Sequence, residues 1–379
     1  MTARSLWHRV ERIQPMLAGV LALLGVMTIY SAGADWSRQI VWIGIGVAAY
    51  MAAAMFDYRR LLPLAAGIYA AMLLMLVAVH LVGHSALGAR RWLSLMGFPL
   101  EPSELSKLML VIVLAALLSR EERLRWRTFG LVLVLVAAPA ALILTQPDLG
   151  TTIVLVAVLL GMLWAGRIRP GQLASLAIAT IVAIPTLPIL LHGYQRRRLD
   201  IFLNPDSDPL GAGYNLLQAR IAVGVGGFFG QGWLHGLQGP LGFVPERATD
   251  FVFAIFAEQF GLFGSLILLT LYGALMVRML KSAAVAPDRF GELIAAGVFV
   301  MLLAQVVENI GMNIGLLPIA GIPLPLISYG GSATITTFAA LGMVQSITLR
   351  RRVVVHAPAA FAIEAVPEPD RRVRISSTW

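Results

Sequence analysis

The residues best equipped for chemistry are one aspartate and a group of cations. Asp250 closes the segment Pro245-Glu-Arg-Ala-Thr-Asp250 and stands directly before the apolar run Phe251–Phe256. Two readings compete for it. As an N-cap it would satisfy the first amides of the following helix, with Thr249 as a rival cap. As a carboxylate held at the rim of a bilayer, beside a loop rich in arginine, it would be partly desolvated. Its pKa would then rise and suit it to proton abstraction. The cations are Arg90, Arg91, Lys107, the run Arg196–Arg198 and Arg220, with Trp92 and Trp233 as rim aromatics. Arginine and lysine together suit a phosphate or diphosphate.

Glu104 and Lys107 are three residues apart, on one face of a helix, and can pair. A charge at bilayer depth costs about 2.5–3.5 kcal/mol, so the two form either a structural ion pair or part of a site. Asp148, in the turn Gln146-Pro-Asp-Leu-Gly-Thr151, either caps the next helix or joins the site. Glu258 and Glu308 lie deeper and are read as residues that hold helices together.

Several chemistries are excluded. With no cysteine there is no disulfide and no thiolate metal site. The six histidines lack metal-ligand spacing. The glycine-rich stretch Gly224–Gly236 lacks the Gly-Lys-Ser/Thr ending of a phosphate-binding loop, so no nucleotide site is expected. No Gly-x-Ser-x-Gly or Ser-x-x-Lys motif is present.

The elements that must position these residues are membrane helices. Of 379 residues, 58% are hydrophobic and 13% charged, and the mean hydropathy is +0.81. A soluble domain would carry about a quarter charged residues. The reading is therefore an all-α, polytopic membrane protein. Ten spans are expected, near 14–33, 39–56, 61–82, 103–119, 128–145, 149–166, 171–191, 250–280, 291–315 and 325–349. The net charge of +9 comes from clusters between spans rather than from a nucleic-acid surface. Arg4, Arg9 and Arg12, then Arg59 and Arg60, Arg120 to Arg127, Arg167 and Arg169, Arg278 to Arg289, and Arg350 to Arg352 all fall on one side by span parity. That side is cytoplasmic by the positive-inside rule, which places both termini inside. The long loop 192–249, between spans seven and eight, is then outward. Within it, Gly213–Val223 has the pattern of an amphipathic helix lying on the outer leaflet. Residues 1–349 read as the membrane domain and 350–379 as a disordered cytoplasmic tail.

One segment breaks the pattern of continuous apolar helices. Ile310–Ser332 carries Asn313, Pro318, Pro323, Pro325, Ser328, Tyr329 and the pair Gly330-Gly331. Non-helical backbone at membrane depth persists only where it is packed in protein or lines a wet cavity. This segment is read as part of a built site, with Asn313, Ser328 and Tyr329 as supporting residues. An outward carboxylate, a diphosphate clamp and a membrane groove together describe glycosyl transfer from a polyprenyl-diphosphate sugar.

These stretches, with Gly88–Lys107, Gln146–Thr151 and Asp208–Gly261, resemble the SEDS family (shape, elongation, division and sporulation), and its rod-elongation branch in particular. The resemblance spans roughly residues 10–350. It implies a peptidoglycan glycosyltransferase that polymerises lipid II on the outer face of the cytoplasmic membrane, for lateral wall elongation and rod shape. It places the essential carboxylate on Asp250, the Arg-Trp pair on Arg91 and Trp92, and the acid and lysine of span four on Glu104 and Lys107. It also implies a class B penicillin-binding protein as partner, with other membrane proteins of the elongation complex. Lys107 and the outward arginines, or a divalent cation (Mg or Mn), would steady the leaving diphosphate. Ala248, Gln231 and Val225 depart from the family pattern and leave the aspartate intact. The rival readings are a lipid II flippase and a non-catalytic scaffold of the elongation machinery.

Overall fold

The computed structural model describes residues 11–351, apart from 87–88, 96–97, 184–192, 209–210 and 240–241. The expected tail therefore lies outside the described residues, except for Arg350 and Arg351.

Each of the ten expected spans falls on a helix. They are α1 (Ile13–Ser31), α2 (Trp36–Met55), α3 (Ala65–Val82), α4 (Pro102–Leu118), α5 (Trp126–Thr145), α6 (Leu149–Ala165), α7 (Pro170–Ala183), α10 (Val252–Ala284), α11 (Arg289–Asn313) and α12 (Gly331–Leu349). Among the described residues, seven of these are long and apolar enough to cross a bilayer. The others, α4, α6 and α7, have 17, 17 and 14 described residues. The outward loop is also largely helical, with α8 (Gly193–Leu203) and α9 (Ala212–Gly226). The chain is an all-α, multi-pass membrane protein with one small addition. An antiparallel sheet joins β1 (His84–Ala86), β2 (Ala89–Leu95) and β3 (Phe98–Leu100) in sequence order. Pairing of Leu93 with Leu100 sets the β2–β3 register.

Local chemistry starts several helices. Asp35 caps α2 through the amide of Arg38 at 3.1 Å, and Asp288 caps α11 through the amide of Gly291 at 2.8 Å. Pro102 opens α4, where its missing N–H costs nothing. The buried apolar faces of α4, α6, α11 and α12 form the centre of the main core. A smaller cluster joins α9 to the start of α10 through Leu216, Ala219, Ala254 and Ile255.

The two ends of the bundle differ in charge. At one end Arg59 meets Asp288 at 2.8 Å and Arg350 meets Asp57 at 3.6 Å. Arg278 pairs with Glu11, whose carbonyl accepts from Gln345 Nε2 at 3.3 Å. Clusters that follow different spans thus meet at one end, as span parity requires. The first and last described segments both lie there.

The single span expected over 250–280 is in fact two pieces. Gly261 (φ 66°, ψ −165°) interrupts α10. At 1.5 Å per residue, 33 residues would reach about 50 Å, well beyond a hydrocarbon layer of about 30 Å. The piece before the break is buried within protein from Val252 to Gln259. The glycine-rich loop closes over the break: the amides of Leu262 and Phe263 donate to the carbonyls of Gly227 and Phe228 at 2.9 and 3.0 Å. Gly230, at φ +83°, is so close that a Cβ would sit 2.1 Å from the Gln259 carbonyl oxygen. Gly230→Ala is expected to cost at least about 1–3 kcal/mol from backbone strain alone. Thermal unfolding in detergent should show a lower midpoint, and an unchanged midpoint would contradict this packing.

Candidate active site

A cavity of about 680 Å³ opens at the end of the bundle opposite the Arg59–Asp288 cluster. Its walls come from distant parts of the sequence: Arg38 and Trp42 from α2, Arg91 and Trp92 from β2, and Glu101 and Glu104 at the start of α4. Thr151 comes from α6, Arg198 from α8, Glu246 to Phe251 from the loop, and Gly321 to Ala333 from the irregular segment. Its volume falls in the range of ligand sites, about 300–1,000 Å³.

Asp250 lines this cavity half-buried, and it does not cap α10. The N-cap position is Phe251, with no side-chain cap bond. The amide of Ala254 is satisfied instead by Asn313 Oδ1 at 3.1 Å. The Asp250 carboxylate accepts no hydrogen bond among the described residues, and one oxygen would lie 3.3 Å from a Cβ built on Gly321. Burial pushes its pKa up to about 6, helped by Glu246 and opposed by Arg91 and Arg198. The reading of Asp250 as a desolvated, poised base is the one the geometry supports.

The irregular segment holds this aspartate by its backbone. The Asp250 carbonyl accepts from Asn309 Nδ2 at 2.8 Å and from Asn313 Nδ2 at 3.0 Å. The Thr249 carbonyl accepts from Ser328 Oγ at 2.5 Å, and the Ala248 carbonyl from the Tyr329 amide at 2.7 Å. Three successive carbonyls are thus fixed, which leaves the carboxylate aimed into the cavity at no cost in its own bonds. Asn313 and Ser328 act through the backbone, while Tyr329 also lines the wall.

The other expected residues divide. Arg91 lines the cavity and donates from Nε to the Gln146 carbonyl at 3.1 Å and from Nη2 to that of Pro147. Its Nη1 is 3.9 Å from Asp148. Asp148 caps α6 through the Thr151 amide at 3.1 Å and lies buried behind the cavity wall rather than on it. Lys107 lies wholly buried beneath the wall and bonds Glu104 at 2.6 Å. Arg220 is not brought into the cavity. Its guanidinium donates to the Gly315 carbonyl at 3.2 Å, where α9 packs on the turn after α11. The backbone of Arg90 lies in β2, and its side chain is outside the described residues. Glu258 does hold structure together: its Oε1 accepts from the amides of Leu237 and Gln238 at 2.7 and 2.9 Å. Glu308 does not, because both its carboxyl oxygens are buried without a hydrogen-bond partner.

Among the described residues, no three His, Asp or Glu side chains gather so as to hold a metal. The carboxylates here are dispersed among guanidinium groups, which suits an anionic ligand better than a bare cation.

This arrangement sets a carboxylate at one wall of a pocket whose other walls carry arginines and aromatics. The family pattern FTSW_RODA_SPOVE, described as cell cycle protein, matches residues 14–353. The chain belongs to this family. It is the SEDS family that the motifs resemble. Peptidoglycan glycosyltransferase MrdB of Escherichia coli K12 is 40% identical over 370 residues, covering 93% of this chain and 97% of that protein. Peptidoglycan glycosyltransferase RodA of Treponema pallidum is 32% identical and covers 89% and 97%. A chain from a peptidoglycan synthase complex, whose structure concerns coordinated polymerization and crosslinking, superposes with a TM-score of 0.77 at 32% identity, over 89% of this chain and 97% of that one. The crystal structure of rod shape determining protein RodA from Thermus thermophilus superposes with a TM-score of 0.68 at 30% identity, over 90% and 97%.

Four wall residues were missed or passed over in the sequence. Arg198 was seen only as one of a run, and its Nη1 donates to the Ile319 and Ala320 carbonyls at 3.2 and 3.1 Å. Arg38 and Glu246 carried no signal beyond their charge. Glu101 did carry one: it stands three residues before Glu104, immediately ahead of the proline that opens the helix.

Proposed function

We propose that this SEDS protein is a peptidoglycan glycosyltransferase that polymerises lipid II for wall elongation and rod shape, at the outer face of the cytoplasmic membrane. The observation that carries the reading is the Asp250 carboxylate, fixed by its backbone, without a hydrogen bond among the described residues and facing a pocket walled by Arg38, Arg91 and Arg198. The relatives named peptidoglycan glycosyltransferase, at up to 40% identity along nearly the whole chain, support it. The collection of basic clusters at the other end of the bundle supports the outward placing of the pocket.

In this mechanism Asp250 takes the proton of the GlcNAc 4-hydroxyl of the incoming lipid II. The oxygen forms a bond to C1 of the MurNAc that ends the growing chain. The bond from C1 to the diphosphate oxygen breaks, and undecaprenyl diphosphate departs with the electron pair. The α-linked diphosphate becomes a β-1,4 glycoside. The guanidinium groups of the wall stabilise the charge that develops on the diphosphate. A transpeptidase of the class B penicillin-binding type takes up the strand; the synthase complex found for the structural neighbour supports such a partner.

The flippase reading was motivated by charge at membrane depth. The Glu104–Lys107 pair is closed on itself at 2.6 Å, which favours a brace over a moving charge relay.

Product analysis with labelled lipid II tests the proposal. The purified protein, alone or with its transpeptidase, should yield glycan strands and release undecaprenyl diphosphate. A chelator arm tests the divalent cation. Absence of strands under both conditions, with the fold intact, would overturn the polymerase reading.

A further inference from the structure

Glu101 is a carboxyl group on the wall of this pocket that the mechanism leaves unused. It occupies the N-cap position of α4 but makes no cap bond, and Pro102 after it has no N–H to offer. Its amide is tied to Ser332 Oγ at 2.9 Å, and its Oε1 accepts from Ser103 Oγ at 3.3 Å. That holds the side chain on the wall of the cavity.

The charges around it do not balance. From α4, Glu104 and Lys107 face it, and these two are closed on each other at 2.6 Å. From β2 comes Arg91 and from the cap of α6 comes Asp148, which meet at 3.9 Å. Nε and Nη2 of Arg91 serve the carbonyls of Gln146 and Pro147. Glu246 and Asp250 on the loop add negative charge, Arg38 and Arg198 stand on the walls contributed by α2 and α8, and α12 offers only the Ser332 hydroxyl. From α11 comes Glu308, whose carboxyl oxygens are buried without a hydrogen-bond partner among the described residues. Each of the two nearest cations thus has its own acid, and among the described residues no basic side chain forms an ion pair with Glu101. Acids crowded into a desolvated site cannot all ionise, and Glu101, pressed by Glu104 and Asp148 whose own cations are taken, is held towards its protonated form.

We propose that Glu101 serves as a neutral hydrogen-bond donor to an oxygen of the bound lipid diphosphate. The proposal rests on the polymerase reading for the identity of the ligand. A carboxylic acid donates a short, strong bond to a phosphate oxygen, and a carboxylate at the same place repels it. Burial, then Glu104 and Asp148, push the Glu101 pKa up to about 8, against the pull of Arg91 and Lys107. The group therefore donates at neutral pH and loses that capacity in mild alkali. Asp250 requires the opposite: it must be ionised, and it ionises near 6. Activity is then confined between two carboxyl groups of one pocket, an acid limb in turnover and an alkaline limb in affinity.

The experiment measures lipid II turnover and, separately, binding of undecaprenyl diphosphate to the full-length protein in nanodiscs, from pH 6.5 to 9. One unit above its pKa about one-eleventh of an acid remains protonated, so the parental Kd and KM should rise about ten-fold by pH 9. Glu101→Gln keeps a donor and cannot ionise. Its Kd for undecaprenyl diphosphate should stay flat from pH 7 to pH 9, where the parental value rises. Glu101→Ala loses the donor and should raise Kd for undecaprenyl diphosphate about ten-fold at pH 7 and remove its rise towards pH 9. A Glu101→Gln protein that keeps the alkaline rise, or that loses kcat while binding normally, overturns the proposal. Melting midpoints control for folding. The binding arm needs no turnover, so a failure to polymerise leaves it readable.

Discussion

Asp250→Ala is expected to stop strand synthesis and leave the protein folded. A positioned base contributes about 10²–10⁴-fold in rate, so polymerisation should fall by at least that lower factor. The expectation of an intact fold comes from how Asp250 is held. Its carbonyl takes the Asn309 and Asn313 amides, its carboxylate takes no hydrogen bond among the described residues, and the helix that follows is capped from elsewhere. Removing the side chain therefore breaks no hydrogen bond among the described residues. The melting midpoint should stay within a degree or two, or rise, since an unpaired and partly desolvated carboxylate is lost. Asp250→Asn should behave alike, because an amide has the shape but accepts no proton. The parental pH profile gives an independent reading. A base works ionised, so turnover should be full above pH 7 and decline as pH falls through about 6, about ten-fold for each further unit. A strand yield within two-fold of the parent in purified Asp250→Ala would remove Asp250 from the reaction.

The sequence disclosed the places of the membrane helices because apolar runs of bilayer length are the strongest signal a chain can carry. It also disclosed the Ile310–Ser332 segment, because asparagine, proline and paired glycine at membrane depth contradict a plain span. The specific uses of that segment were hidden. Asn309 and Asn313 are one helical turn apart, but nothing local shows that both reach a carbonyl about sixty positions earlier. The break at Gly261 was hidden for a related reason. A glycine within an apolar run is common, and only the loop at Gly227 to Gly230 closing over it demands the positive φ. Arg220 was read by charge alone and went to a backbone carbonyl at Gly315 instead. Glu101 stayed unnoticed because its importance lies in a lack: Lys107 and Arg91 are taken by Glu104 and Asp148, and no cation among the described residues pairs with it. Such a deficit appears only when distant charges have been placed in space.

Lys107→Ala should be the most destabilising substitution in the bundle. Lys107 is wholly buried, and its partner Glu104 is almost so, with 2.6 Å between them. Breaking a buried pair from one side leaves a charge with neither water nor counter-ion, at a cost of about 3–5 kcal/mol. Against a total stability of about 5–15 kcal/mol, that is enough to lower both yield and melting midpoint sharply. The double substitution Glu104→Leu with Lys107→Met separates the brace from the site. With both charges gone no orphan remains, and two apolar side chains of similar volume can fill the space, so the midpoint should return to near the parental value. Strand synthesis should not return with it. Glu104 forms part of the cavity wall, and Lys107 is the cation that leaves Glu101 as the acid without one. With Glu104 and Lys107 both removed, the charge balance around Glu101 and Asp250 changes even in a well-folded protein. A double variant that melts like the parent and polymerises like it would show that the pair only braces helices. One that stays unstable would show that α4 has no room for the apolar pair.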